Sequence, residues 1–216
     1  MRKRFFLMCL VVVALLLIDA KKVEAQNERA KVEIFANGRS VDGLTLARGK
    51  AIDLSVVLDS RVGGAITKPV MWTAAPADII DVRSVGGGRV TVTALRDIFD
   101  DPKGREPRAS LGVCVENMCT SIGVVCVLSI EGIWKVHIVV KQLPITQDRN
   151  FPFTQDGRKF EYRKVGLRLD GVTMRMTNGA GLLTRLDGTF TGRDTVHGVW
   201  STTDGFSGTW IGVRGP

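Results

Sequence analysis

The sequence has few of the residues on which catalysis and metal binding most often depend. It contains two histidines, His137 and His197, and four cysteines among 216 residues. Neither histidine belongs to an H-E-x-x-H zinc motif, and no two cysteines form C-x-x-C. No nucleophile elbow surrounds a serine, and no glycine-rich phosphate loop lies between a strand and a helix. We therefore expect a protein that is not an enzyme, with no catalytic residues, no metal site and no cofactor.

Long apolar runs are absent except at the N-terminus. Arg2-Lys3-Arg4 precedes an apolar run from Phe5 to Ile18, and small residues follow at Val23-Glu24-Ala25. This is the pattern of a secretory signal peptide, which we predict at residues 1–25. An uncleaved anchor is the alternative, but fourteen apolar residues rise only about 21 Å as a helix, short of the roughly 30 Å hydrocarbon core. We expect an exported product, periplasmic, cell-surface or secreted, with no transmembrane segment after cleavage.

Charge of one sign is only mildly in excess. The formal net charge is +8 for the whole chain, and it falls to +5 when the five Lys/Arg and two Asp/Glu of residues 1–25 are removed. A dedicated nucleic-acid binder is usually more basic, so no nucleic-acid partner is expected. One predicted strand face is basic and could bind an anionic polymer, but acidic residues interrupt it and no aromatic residue is interleaved. We expect a solvated face formed by Arg163, Lys164, Arg168, Arg175 and Arg185.

Two of the three cysteines that follow the signal peptide can be paired from the sequence. A two-residue turn at Glu116-Asn117 places Cys114 opposite Cys119 on neighbouring strands. Cross-strand neighbours have Cβ atoms close enough for a disulfide, which an oxidising compartment favours. Cys126 then lies on the apolar face of the same hairpin. We predict a Cys114–Cys119 disulfide and a buried free thiol at Cys126.

Residues 30–128 alternate apolar and polar side chains with the period of β-strands. Ile52, Leu54, Val56 and Leu58 show this alternation, as do Val90, Val92 and Ala94. Turn signals separate segments of strand length, and they lie at Asn37-Gly38, Asp42-Gly43, Gly63-Gly64 and Gly86-Gly87-Gly88. Seven short strands around one tryptophan, Trp72, predict a two-sheet β-sandwich.

The same segment resembles the bacterial immunoglobulin-like domains, group 2, of surface and secreted proteins. The strand Pro69-Val70-Met71-Trp72-Thr73 matches the family's "V-x-W-[ST]" strand, and Val92-Thr93-Ala94 matches its "V-T-A" strand. The resemblance implies a spacer or adhesive module without catalytic residues. The Cys114–Cys119 hairpin and a long loop at 96–107 depart from the family's pattern. Asp97, Asp100 and Asp101 of that loop could bind calcium, but Lys103 and Arg105 beside them favour a solvated, salt-bridged loop.

Residues 130–216 repeat the pattern apolar, any residue, glycine, any residue, aromatic. Because side chains at i, i+2 and i+4 share one face of a strand, each copy places an apolar residue and a large ring on the same side. Glycine within a strand marks a bend, a bulge or a close approach by a neighbour. Turns at Asp170-Gly171 and Asn178-Gly179-Ala180 keep the apolar face continuous. We predict a small antiparallel meander β-barrel of six to eight strands, with copies at 130–134, 186–190, 196–200 and 206–210.

Gly132-Ile133-Trp134 on the first strand and Arg214 after the last are similar to a feature of calycin barrels, the lipocalins and avidins. That resemblance implies a barrel closed by the Arg214 guanidinium stacked on the Trp134 indole. The rings of Trp134, Phe190, Trp200 and Trp210 then have two interpretations. They line a cavity for an apolar or sugar-like ligand, or they form the packed interior of a small barrel, which we favour. Phe151-Pro152-Phe153, Phe160 and Tyr162 are expected to plug one end.

These observations predict an all-β protein, an immunoglobulin-like β-sandwich followed by a small β-barrel. The functional hypothesis is an exported, noncatalytic binding or adhesion protein, in which the sandwich presents the barrel to a carbohydrate, a cell-surface polymer or a protein partner. The alternative is a calycin-like carrier of a small apolar or sugar-like ligand. An enzyme or an enzyme inhibitor that acts through the irregular loops ranks third.

Overall fold

The computed structural model describes residues 31–59 and 69–215. Strands make up most of these residues, and the one helix described is a short 3-10 turn at Ile98–Asp100, which confirms the all-β fold class. The predicted signal peptide at 1–25 and the turn at Gly63-Gly64 lie outside the described residues.

The described part of the first region contains nine strands, two more than predicted. They form a five-stranded sheet in the order β2-β1-β4-β7-β6 and a four-stranded sheet in the order β3-β9-β8-β5. Side chains from both sheets share one apolar core, which includes Ile34, Leu54, Val92, Leu111 and Val124. The strands are β1 (Lys31–Ala36), β2 (Arg39–Ser40), β3 (Gly43–Ala47), β4 (Ala51–Asp59), β5 (Val70–Ala75), β6 (Ile80–Gly86), β7 (Arg89–Ala94), β8 (Arg108–Val115) and β9 (Met118–Val127).

The hairpin of β8 and β9 has the predicted register. Cys114 pairs with Cys119 across the strands, and a disulfide joins them. Glu116 adopts a positive φ of 55° at the two-residue turn. Cys126 is buried with a free thiol, and burial raises its pKa to about 11. Both cysteine predictions are confirmed.

The second region is a closed barrel of eight strands, each hydrogen-bonded to the next in chain order. The last strand pairs with the first, with Arg214 opposite Trp134. The strands are β10 (Gly132–Val140), β11 (Thr146–Asp156), β12 (Lys159–Tyr162), β13 (Val165–Asp170), β14 (Thr173–Asn178), β15 (Leu183–Gly192), β16 (Thr195–Thr202) and β17 (Ser207–Arg214).

Two turns of the barrel differ from the prediction. Asp170 pairs with Thr173, so the first turn consists of Gly171 and Val172. The loop between β14 and β15 extends to Leu182, which is exposed. In each case the observed register differs from the predicted one by an even number of residues. The same side chains of β13 and β14 therefore face the interior of the barrel.

A bulge early in β15 changes which side chain of that strand faces inward. The register shifts between Leu183 and Arg185, and Leu183 packs against the barrel core. Strict alternation from Leu186 would place Thr184 on the inner face, but Thr184 donates a hydrogen bond to the Ser201 carbonyl instead. The extra residue of the bulge explains the difference, since it reverses the alternation at this point.

The repeated glycines make room for the rings of neighbouring strands. Gly198 pairs with Trp210, and Gly208 pairs with Trp200. A Cβ on Gly198 would lie 2.2 Å from the Trp210 Nε1, and a Cβ on Gly208 would lie 2.8 Å from the Trp200 Nε1. The repeat therefore produces reciprocal glycine–tryptophan pairs between β16 and β17, in which the indole of each strand covers the glycine of the other.

The loop at 96–107 connects β7 to β8 and contacts the barrel. It is salt-bridged as predicted, with Arg105 paired to Asp101, but the expectation that it is solvated is wrong at its start. Asp97 is only 1% exposed. It accepts hydrogen bonds from the Arg193 guanidinium of the barrel at 2.9 and 3.2 Å. Arg158 of the barrel donates to both carboxylate oxygens of Glu106. These carboxylates bind arginines from a distant part of the chain, which local sequence could not indicate.

Candidate functional site

The end of the barrel next to the sandwich is filled. Trp134 and Phe190 are buried and meet edge to face, with ring centroids 5.7 Å apart. The Trp134 indole donates to the Ile130 carbonyl at 2.8 Å, and the space among these side chains is only about 10 Å³. Ile130 and Leu128 of the short connection belong to the same core as the rings. At this end the rings are core.

Arg214 covers the filled end, as the calycin resemblance implies. Its Cζ lies 5.1 Å from the centre of the Trp134 ring. Its guanidinium also donates to the carbonyls of Ser129 and Arg193. Burial lowers the pKa of Arg214, although Asp194 and Asp97 oppose that shift. This confirms the predicted contact between Trp134 and Arg214.

The opposite end of the barrel contains a cavity of about 330 Å³. Two of the repeated rings, Trp200 and Trp210, form part of its wall. Most of the other lining side chains are aliphatic or aromatic, and the polar ones are Gln147, Tyr162 and Thr202. The remaining lining residues are Val136, Ile138, Val140, Phe151, Val165, Leu183 and Leu186.

An aromatic cluster forms one side of this cavity. Phe151 and Tyr162 stack with ring centroids 4.3 Å apart, and Phe153 meets Tyr162 edge to face at 6.1 Å. These residues lie on β11 and β12. The expectation that they plug one end holds for Phe153 and Phe160, which are buried among the side chains of the filled end. It is wrong for Phe151 and Tyr162, which line the cavity from regular strands.

The cavity opens because three strands are short at this end. Pairing between β14 and β15 covers only Thr173–Arg175 with Asp187–Thr189. Pairing between β11 and β12 covers only Thr154–Asp156 with Lys159–Glu161. The wall is therefore incomplete where β12, β13 and β14 end, while the longer strands extend past them.

The loops around the opening expose apolar side chains. Leu143 and Ile145 lie between β10 and β11, Leu182 lies between β14 and β15, and Phe206 lies between β16 and β17. Each exposes about two fifths or more of its surface. A row of exposed apolar residues beside an apolar cavity is typical of a binding site rather than of ordinary protein surface.

The sequence identified part of this site. It singled out four rings, and the structure places Trp134 and Phe190 in the core, Trp200 at the cavity, and Trp210 in the core where it also borders the cavity. On β11 it assigned Phe151 to a plug and did not single out Gln147, although both line the cavity. Only a weak period-two signal was present there, since Phe151 and Phe153 share one face with the polar Gln147 and Arg149.

Other candidate chemistry is sparse within the described residues. His137 pairs with Asp148 at 2.7 Å on the exposed outer wall, and His197 is exposed on the same wall. Residues 31–59 and 69–215 contain no group of three side chains able to hold a metal ion. Among the residues that the structure describes, no helix is long and apolar enough to cross a membrane.

Comparisons with known proteins give little further information. No protein-family model matches the chain, and no curated protein matches it. Domains 5-6 of the S-layer protein SbsC are 11% identical, with a TM-score of 0.37, over 87% of this chain and 84% of that chain. The crystal structure of rSbsC is 14% identical, and SbsC domains 1-6 are 15% identical. Both have a TM-score of 0.37 and cover 84% of this chain and 24% of those chains. At identities and TM-scores this low, the function has to be argued from the site itself.

Proposed function

We propose that the protein is an exported, noncatalytic binding protein whose barrel holds an apolar group at its open end. The sandwich carries the barrel and blocks its other end. This is the carrier hypothesis, and it takes precedence over the adhesion hypothesis because the cavity is a specific binding feature.

The observation that carries this proposal is the cavity itself. Its volume of about 330 Å³ falls at the lower limit of typical ligand pockets, which hold roughly 300–1,000 Å³. An apolar protein cavity of roughly 150 Å³ already accepts a benzene ring. A group of one or two rings, or a short alkyl chain, therefore fits the space between Trp200, Phe151 and Leu186.

The contacts between the two regions support a fixed orientation of the barrel. Ala47 and Val127 of the sandwich pack in one cluster with Leu128, Ile130 and the barrel core. Buried apolar contact, together with the Asp97–Arg193 and Glu106–Arg158 pairs, favours one docked arrangement over a flexible tether. The open end then points away from the sandwich.

Export is supported by the N-terminal sequence pattern and by the disulfide. Cys114 and Cys119 are joined, and disulfides persist in oxidising compartments. Secretion of a reporter fused to residues 1–25 tests this part of the proposal, and retention of the reporter in the cytoplasm contradicts it.

An adhesive role is the second candidate, and the outer wall of the barrel favours it. Ile133, Val199, Ile211 and Val213 are exposed on the adjacent strands β10, β16 and β17. Exposed apolar patches often contact protein partners. Attachment of the purified protein to cells that is lost in Ile211→Lys but kept in Val140→Phe favours adhesion over ligand carriage.

The direct test of ligand binding uses two neighbouring valines with opposite orientations. Val140 lines the cavity, whereas Val139 is exposed on the outer wall. Octanol should change tryptophan fluorescence in the wild-type protein, and Val140→Phe should weaken its binding about tenfold by occupying the space. Val139→Phe is the matched control and should bind as the wild type does. A wild-type protein that binds no apolar probe refutes the proposal.

A further inference from the structure

Two arginines at the open end of the barrel contact cavity-lining side chains that carry no charge. Arg149 donates a hydrogen bond to the Gln147 side-chain oxygen at 3.1 Å. The Arg163 guanidinium lies 5.3 Å from the centre of the Tyr162 ring. Gln147 and Tyr162 both line the cavity, so each guanidinium contacts a residue whose other side borders the apolar space.

Several arginines elsewhere in the molecule are held by carboxylates. Arg158 binds the carboxylate of Glu106, Arg193 binds Asp97, and Arg185 binds Asp187 at 2.7 Å. Within the described part of the chain, neither Arg149 nor Arg163 is ion-paired with a carboxylate. Some other arginines of the described residues are unpaired as well, so what distinguishes Arg149 and Arg163 is their contact with residues that line the cavity. A guanidinium is a strong donor to carboxylates and phosphates, so both side chains can bind an anion at that position.

The surroundings of the opening are also positive. Lys141 follows β10 at the open end, and Lys164 lies in the turn between β12 and β13. Of the nearby acids, Asp148 is paired with His137 and Asp204 accepts from the Thr202 hydroxyl, while Glu161 is exposed on β12 two residues before Arg163. The cavity-lining residues include no acidic side chain. An anionic group at the opening would therefore meet cations and little repulsion.

We infer that the ligand is an anionic amphiphile, with its apolar part in the cavity and its anionic group between Arg149 and Arg163. This inference rests on the proposed function, since it assigns the ligand class of the same cavity. Apolar side chains line the interior, and the cations stand only at the opening, which separates the two parts of the ligand in space. A neutral apolar ligand would leave the two guanidinium groups without an anionic partner.

The experiment compares three amphiphiles with the same chain, namely octanoate, octanol and octyltrimethylammonium. Octanoate should bind about tenfold more tightly than octanol, because charge-assisted hydrogen bonds form only with the carboxylate. The preference should decrease as salt is added, because exposed ion pairs are screened. Octyltrimethylammonium should bind most weakly.

Variants locate the preference on the two arginines. Arg149→Gln and Arg163→Gln should each weaken octanoate binding about threefold, the size expected for exposed ion pairs, and leave octanol binding unchanged. Arg89→Gln is the matched control, because it removes an exposed arginine of the sandwich strand β7, away from the cavity, and it should change neither affinity. An unchanged octanol affinity also shows that each variant is folded.

The outcomes separate this inference from the proposed function. Equal binding of octanoate and octanol overturns the anionic ligand but leaves the apolar site intact. Failure of all three amphiphiles to bind overturns the proposed function itself. Sedimentation with phosphatidylglycerol vesicles distinguishes two sources of the anion: co-sedimentation that octanoate abolishes identifies a bilayer lipid, and a protein that binds octanoate but stays in solution identifies a free carboxylate.

Discussion

The two ends of the barrel are built from the same kinds of side chain, yet one is core and the other is cavity. Trp134 and Phe190 fill the end next to the sandwich, where about 10 Å³ is left between them and their neighbours. Trp200 and Trp210 border about 330 Å³ at the other end. The comparison shows that a ring on the inner face of a small barrel is not assigned to core or pocket by its chemistry alone.

What separates the ends is the backbone around them. The connection through Leu128 and Ile130 enters the filled end, and the sandwich covers it. At the open end no such segment is described, and β12, β13 and β14 stop short of the longer strands. The difference predicts that substitutions at the filled end affect stability, whereas substitutions at the open end affect binding.

The largest effect is expected at the filled end. Trp134→Ala should lower the free energy of unfolding by about 3–5 kcal/mol, because it leaves a cavity in a fully buried site. Trp200→Ala is the comparison at the open end and should cost clearly less, because its ring already borders empty space. Urea denaturation measures both, and equal losses would remove the distinction between the two ends.

The next effect is expected where the sandwich meets the filled end. Asp97→Asn should destabilise the protein by about 3 kcal/mol, since it removes the buried negative charge that faces Arg193 and leaves that guanidinium with Asp100 alone. Asp101→Asn, which removes an exposed pair with Arg105 at 3.3 Å, is the control and should cost less than about 1 kcal/mol. Urea midpoints that move equally in the two variants would contradict a stabilising buried ion pair between Asp97 and Arg193.

The glycine–tryptophan pairs can be tested with two glycines of the same sheet. Gly198→Ala should cost roughly 1–3 kcal/mol, because its Cβ would collide with the Asp187 carbonyl and the Trp210 indole, and the strand must shift. Gly192 has nothing within 4 Å of an added Cβ, so Gly192→Ala should be close to neutral. Thermal melting followed by tryptophan fluorescence distinguishes them, and similar melting temperatures would mean that the repeat has another cause.

Acid should weaken the contact between the two regions. Burial opposes ionisation of Asp100, but the Asp97 backbone N–H and the Arg193 guanidinium outweigh it and hold the pKa of Asp100 below its usual 3.8. A carboxyl whose pKa is depressed by folding stabilises the protein above its unfolded pKa, and that stabilisation is lost as the pH falls through the folded pKa. Asp100→Asn should therefore lose less stability than the wild type between neutral and acid pH. An unchanged loss of stability would contradict this assignment.

Strand periodicity and turn residues were enough to predict much of the fold. The Glu116-Asn117 turn predicted the disulfide. The repeat containing Gly198 and Gly208 predicted the barrel and most of its inner face. Two features depend on contacts that local sequence does not encode. Asp97 is buried by an arginine from the barrel, and the cavity depends on where β14 loses its pairing with β15 and where a bulge turns Leu183 inward.

The most direct test of the central claim uses the tryptophans as reporters of position. Protein labelled with 5-fluorotryptophan is titrated with octanol and followed by fluorine NMR, with single Trp→Phe variants to assign the signals. The account predicts that the resonances of Trp200 and Trp210 shift with saturation, while those of Trp72 in the sandwich and Trp134 at the filled end stay in place. A shift of Trp134 without a shift of Trp200, or no shift at all, would contradict it.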